Sequence, residues 1–113
     1  MQYTVQELKN ILAEACTEAS KAADTFFQQH LKGQDAYACG FAWVNIYGVK
    51  GNTKLGRAMK AAGIQQDYTK AFSIWNPSGH NCQNVDTKEA GAQAAAKVFQ
   101  KYGFTAYAGS RLD

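Results

Sequence analysis

Twice along this chain a run with helical periodicity stops at a glycine and gives way at once to an apolar, strand-like segment: "AAGIQQDYTKAF" and "KYGFTAYAG". Glycine takes the left-handed conformation that closes a helix, and the apolar residue behind it folds back onto the last turn. Each unit reads strand, polar loop, helix, glycine, apolar strand. Elements that alternate in this way, with connections this long, build a layer of helices on a small sheet.

The first 31 residues read as one long amphipathic helix. Leu8, Ile11, Leu12, Ala15, Ala19, Ala22, Ala23 and Phe26 recur at three- and four-residue intervals, with acids and lysines opposite. Thr4 and Glu7 have the spacing of a capping box. The alanines in the middle of the stripe permit close approach, either flat across a sheet or against a copy of the same helix. After the polar break Lys32-Gly33-Gln34-Asp35, "CGFAWVNIYGV" has strand composition. Its even positions (Ala42, Val44, Ile46) are aliphatic, and its odd positions (Phe41, Trp43, Asn45, Tyr47) are aromatic with one amide. Two apolar faces predict a central strand covered on both sides.

A short helix is predicted from about Thr53 to Ala62, capped by Asn52 or Thr53 and ended by Gly63. A second strand lies within "YTKAFSIW", closed by an "NPSG" turn in which Asn76, Pro77 and Gly79 suit a type I geometry. Asp86 and Glu89 have capping-box spacing ahead of a helix from about Thr87 to Tyr102, "FTAYA" is the last strand, and "GSRLD" reads as a tail.

The expected fold is α/β (or α+β), one domain over 1–113. Residues 1–32 form an amphipathic helix, and 38–113 a strand-helix-strand-helix-strand core. The long helix packs on a small sheet of about three strands with two further helices. At 113 residues and 46% hydrophobic, such a chain can bury roughly two-thirds of its unfolded surface in one core. No run approaches the ~20 apolar residues of a membrane span, and no signal sequence opens the chain, so a cytoplasmic location and no membrane partner are expected. Cys16, Cys39 and Cys82 are odd in number and form no C-x-x-C pair, which indicates neither disulfides nor a zinc ribbon. The net charge of +3 is uneven. Residues 1–36 carry three lysines against five acids, giving −2, and the remainder nine bases against four acids, giving +5. That is compatible with an anionic partner but far below the load of a dedicated nucleic-acid binder.

If the strands are parallel, their carboxyl ends meet at one edge, where ligands of open α/β sheets bind. Lys50-Gly51-Asn52-Thr53-Lys54, then Asn76-Pro77-Ser78-Gly79-His80-Asn81, then Ser110-Arg111 would converge there. Helix N-termini offer N–H groups and partial positive charge to a phosphate, while Lys50, Lys54 and Arg111 supply full charge. An antiparallel sheet is the alternative, and the same residues also serve ordinary turns and caps. "GVKGNTKLG" satisfies neither G-x-x-x-x-G-K-[ST] nor G-x-G-x-x-G.

Phe41, Trp43 and Tyr47 with Asn45 are expected as core beneath the long helix, the alternative being a face that stacks a base and reads its edge. Trp75, beside the Asn-Pro turn, is the better candidate for an aromatic facing a ligand. His80 and Cys82 lie two apart in a polar loop without a third group to orient the histidine. His30 ends the first helix, and Asp67, Asp86, Glu89 and Asp113 are isolated in sequence. A non-enzymatic protein with no metal and no cofactor is expected.

"GFAWVNIYGVKGNTKLGRAMKAAG", "IWNPSG", "KEAGAQAAAKVF" and "AYAGSRLD" resemble a family of small uncharacterised proteins of tailed bacteriophages. The likeness covers about residues 38–113. It implies a setting, the cytoplasm of an infected bacterium, and carries no activity or site residue. Small phage proteins of this kind inhibit host enzymes, blunt defence systems, or bind nucleotides or nucleic acid. The expected function is therefore binding of a phosphate-bearing ligand, such as a nucleotide, a signalling nucleotide or a nucleic-acid backbone, at the strand-end edge. The alternative is a protein–protein inhibitor of a host or defence factor, or an adaptor, acting through an exposed surface or a homodimer built on the first helix.

Overall fold

A computed structural model describes residues 2–35 and 38–112. The chain forms a single α+β domain. Its elements run α1 (Val5–His30), β1 (Gly40–Tyr47), α2 (Lys54–Ala61), β2 (Gln65–Gln66), β3 (Phe72–Trp75), α3 (Val85–Lys101) and β4 (Thr105–Leu112). Asp113 lies outside the described residues.

The local signals act as their chemistry requires. Thr4 Oγ1 accepts from the Glu7 N–H while the Glu7 carboxylate accepts from the Thr4 N–H, a complete capping box. Both glycine stops are Schellman closures. Gly63 and Gly103 have φ of 98° and 94°, and the N–H groups of Ile64 and Phe104 reach back to the carbonyls of Met59 and Phe99. α3 begins earlier than its predicted Asp86–Glu89 box. The cap is Asn84, whose Oδ1 accepts from both N–H and Oγ1 of Thr87, and Asp35 holds the preceding loop by accepting from the Gln83 and Asn84 N–H groups.

The four strands form one sheet in the order β2-β3-β1-β4, with every neighbouring pair antiparallel. β1 and β2 are therefore parallel to each other with β3 between them, the split β-α-β arrangement, here preceded by an extra helix. The parallel reading of the sheet is thereby corrected. β2 is a fourth strand of two residues, too short to carry a period. The segment expected as a tail is paired instead, since β4 runs alongside the whole of β1, from Tyr47 opposite Thr105 to Gly40 opposite Leu112.

All three helices lie on one side of the sheet. Ala42, Val44 and Ile46 of β1, Phe72 of β3 and Ala106 of β4 point to that side and are buried, with Phe99, Leu8, Met59 and Ile64 filling the core between them. The alanine stripe of α1 is used within the chain. Ala15, Ala19 and Ala23 are fully buried as α1 packs along α3, the most extensive contact between any two elements. At Gly91 a β-carbon would stand 3.1 Å from the Ala19 carbonyl oxygen and 2.7 Å from Ser78 Cβ. That stripe is consequently unavailable to a second copy. Among the described residues the opposite side of the sheet carries no helix, so the expectation that β1 is covered on both sides is also corrected: Phe41 and Tyr47 are exposed, and Trp43 and Asn45 half-buried.

Candidate functional site

The antiparallel register separates the residues expected to converge. Tyr47, which leads into Lys50–Lys54, lies opposite Thr105 at the start of β4, whereas Trp75 lies opposite Trp43 and Arg111 opposite Phe41, toward the other end of β1. Lys50, Gly51, Asn52, Thr53 and Lys54 thus sit at one end of the sheet, and Asn76, Ser78, Gly79, His80 and Arg111 at the other. They do not form one site.

Each turn is largely satisfied by its own contacts. Thr53 Oγ1 accepts from the Gly56 N–H and donates to the Lys50 carbonyl, which also accepts from the Thr53 N–H, while Arg57 reaches the Asn52 carbonyl. Gly56 is required by this closure, since a β-carbon there would be 2.1 Å from the Lys50 oxygen. In the second turn the Gly79 N–H donates to the Asn76 carbonyl, Ser78 Oγ donates to Asn76 Oδ1, the His80 N–H donates to Ser78 Oγ, and Asn76 Nδ2 donates to the His80 carbonyl. Asn76 takes a positive φ of 42°, which its short polar side chain tolerates.

The Cys82–His80 pair is likewise structural in its contacts. His80 Nδ1 accepts from the Cys82 N–H, and its ring lies 4.8 Å from that of Phe27. The Cys82 thiol is buried and directed at the Asn84 carbonyl, and burial pushes its pKa up, away from the thiolate a nucleophile needs. Among the described residues no group of three His, Cys, Asp or Glu side chains could hold a metal ion, and no helix is long and apolar enough to cross a membrane.

What the tertiary structure does bring together is the uncovered sheet face. Because side chains alternate along each strand, Phe41, Trp43, Asn45 and Tyr47 of β1 share this face with Ser73 and Trp75 of β3 and with Thr105, Tyr107, Gly109 and Arg111 of β4. The aromatic rings form two clusters. Trp43 lies 5.2 Å and Phe41 6.0 Å from Trp75 between ring centroids, and Tyr47 lies 6.3 Å from Tyr107. Trp75 is 56% and Tyr107 60% exposed. Lys88 Nζ and the Arg111 guanidinium each stand 5.5 Å from the Phe41 ring, so positive charge borders the aromatic surface at that end.

A groove of about 650 Å³ crosses this face between Trp43, Asn45, Tyr47, Trp75 and Arg111, with the β2–β3 loop as its rim. Tyr68, at the tip of that loop, is 97% exposed. Asn45 sits in the middle of the groove lining. Its Nδ2 donates to Tyr47 Oη, while its Oδ1 is buried and accepts nothing. A buried amide oxygen without a donor costs stability unless something supplies one. Of the residues expected to bind a ligand, only Trp75 and Arg111 belong to this face. Tyr68, Ser73, Tyr107 and Gly109 were missed. For Tyr107 the signal was present, since it lies two and four residues from Gly109 and Arg111 and so shares their side of a strand.

The chain matches no protein-family model, and neither a curated protein nor a solved structure is detectably similar to it.

Proposed function

We propose that this protein binds single-stranded nucleic acid, laying unstacked bases on the open sheet face. The observation that carries this reading is the pairing of an uncovered antiparallel sheet with aromatic side chains on its two central strands, β1 and β3. Every base has a π-face, and stacking on an aromatic side chain contributes about 1–3 kcal/mol per base with little regard to sequence. RNA-recognition modules use the aromatic residues of a four-stranded sheet in this way. Trp43, Trp75 and Tyr107 are the stacking platforms, and Arg111 supplies charge beside Phe41. The phosphate-bearing ligand expected at the strand ends is thus assigned to the face, and the role is binding without covalent chemistry. In the setting implied by the phage resemblance, the strand would be met in the cytoplasm of an infected bacterium.

The test is tryptophan fluorescence during titration with a ten-nucleotide single-stranded DNA and RNA and with a duplex of the same sequence. Quenching by the single strands, stronger than by the duplex and weakened by salt, is the expected result. A flat titration with all of them would sink the reading.

One observation favours a second reading, a protein-docking surface that inhibits a host or defence factor: the same rings form an exposed apolar patch of the kind partners cover. A partner retained at high salt, and released when Trp75 and Tyr107 are replaced by Ser, would support it in place of the first.

A further inference from the structure

At its Tyr47 end the aromatic groove shares Tyr47 and Thr69 with a shallow depression, which in turn shares Val49 and Lys70 with a second cleft of about 560 Å³ beside the β1–α2 turn. This cleft is basic. Lys50, Lys60 and Lys70 line it, all three are exposed, and none has an ion-pair partner among the described residues. Gly51 also lines it. A β-carbon at that position would stand 2.8 Å from both the nitrogen and the oxygen of the Gln66 amide and 2.9 Å from Lys60 Nζ, so side chains from β2 and α2 close in where position 51 carries none, and the Gln66 nitrogen donates to the Lys70 carbonyl.

The single carboxylate in the lining, Asp67, is already engaged. Its Oδ1 accepts from the N–H and hydroxyl of Thr69 and from the Ala71 N–H, and the Thr69 hydroxyl first among these bonds holds its pKa below the usual carboxylate value. The carboxylate thus stays charged, but three ammonium groups outnumber it.

We infer that this lysine cleft takes the phosphodiester backbone of the strand whose bases lie on the aromatic face, an inference that rests on the proposed nucleic-acid reading. The chemistry divides along the track. The sheet face offers rings and an amide but few cations, which suits bases. The cleft offers three ammonium groups but no aromatic ring, which suits phosphates. A strand leaving the face past Tyr47 therefore enters the cleft, and chains too short to reach it forgo its charge.

The test compares the wild-type protein with a Lys60→Gln, Lys70→Asn double variant. Both sites are exposed, and asparagine tolerates the positive φ of 68° at position 70, so the fold is retained. Each protein is titrated with the oligonucleotides (dT)2 and (dT)10 across a range of NaCl concentrations, following tryptophan fluorescence. The wild type is expected to bind (dT)10 more tightly and with a steeper salt dependence than (dT)2. In the variant the affinity for (dT)2 should be unchanged, while the slope of log K against log salt for (dT)10 flattens by about 1.4, since each phosphate neutralised in a single strand contributes about 0.7. An unaltered (dT)10 slope overturns the cleft and leaves the face intact. An equal loss for both lengths also overturns it, showing general attraction in place of a backbone site. Absence of quenching by either oligonucleotide in the wild type overturns the face and the backbone route together.

Discussion

The indole of Trp43 lies against the backbone of Gly109, its cross-strand partner on β4: a β-carbon at position 109 would stand 2.6 Å from Nε1 and 2.7 Å from Cε2 of the ring. Glycine within a strand weakens it, and one that lets a ring lie flat is there for the ring. Gly109→Ala should therefore lift Trp43 off the sheet. The expected signature is a shift in tryptophan emission with little change in melting temperature, and a loss of oligonucleotide affinity of up to the ~1–3 kcal/mol that one stacking platform contributes. Unchanged emission would show that the ring finds room elsewhere.

Trp75 gives the complementary case. It is more than half exposed, so Trp75→Ala removes little buried area and should change stability by less than about 1 kcal/mol. Affinity for a single strand should fall about 5- to 150-fold, the range for one stacked base. Equilibrium titration beside thermal unfolding of the same sample separates the two quantities.

Thr53 tests whether the β1–α2 turn is a cap or a ligand cradle. Its hydroxyl accepts from the Gly56 N–H and donates to the Lys50 carbonyl, so Thr53→Ala should cost about 1 kcal/mol of stability through the lost cap. Oligonucleotide affinity should not change. Lost binding at unchanged stability would restore the strand-end site.

The close approach of α1 and α3 depends on Gly91. A methyl group there meets Ser78 Cβ at 2.7 Å and the Ala19 carbonyl oxygen at 3.1 Å, and backbone on one side leaves it little room to relax. Gly91→Ala should destabilise the protein by about 1–3 kcal/mol, seen as a fall of several degrees in Tm. A neutral or stabilised variant would mean that the helices separate without penalty.

Glu14 joins the same two helices from the outside. Its carboxylate accepts from Tyr102 Oη at 2.6 Å and from Lys101 Nζ, and the Lys101 bond first, then that of Tyr102, holds its pKa below the ordinary value of 4.5. A lowered folded pKa contributes stability above the unfolded value and loses it as pH falls through the folded one. Lys101 and Tyr102 are raised, each chiefly by its bond to Glu14, so their contribution is present below about pH 10 and lost as pH rises through their folded values. Thermal unfolding against pH should show Glu14→Gln converging with the wild type below pH 4.5. A constant difference across that range would deny the clip a charged component.

Much of the local structure was legible in the residues themselves. The capping box at Thr4 and Glu7, the glycine stops at Gly63 and Gly103 and the apolar stripe of α1 depend on groups within a few positions of one another, and they form as expected. The start of α3 did not follow, because Asp35 organises its cap from 49 residues away, and no local pattern carries that. β2, with two residues, is made by pairing with β3 rather than by its own preference.

Sequence alone determined that β1 has an aliphatic side and an aromatic side, since alternation is a property of any strand. Which side the helices cover was decided by the tertiary structure, through strand direction and through the packing of α1 on α3 rather than across the aromatic side. A period of two is identical for either choice. Only the long-range burial of Val44, Ile46, Phe72 and Phe99 in one core distinguishes them, and it leaves Trp43, Trp75 and Tyr107 on the open side of the sheet.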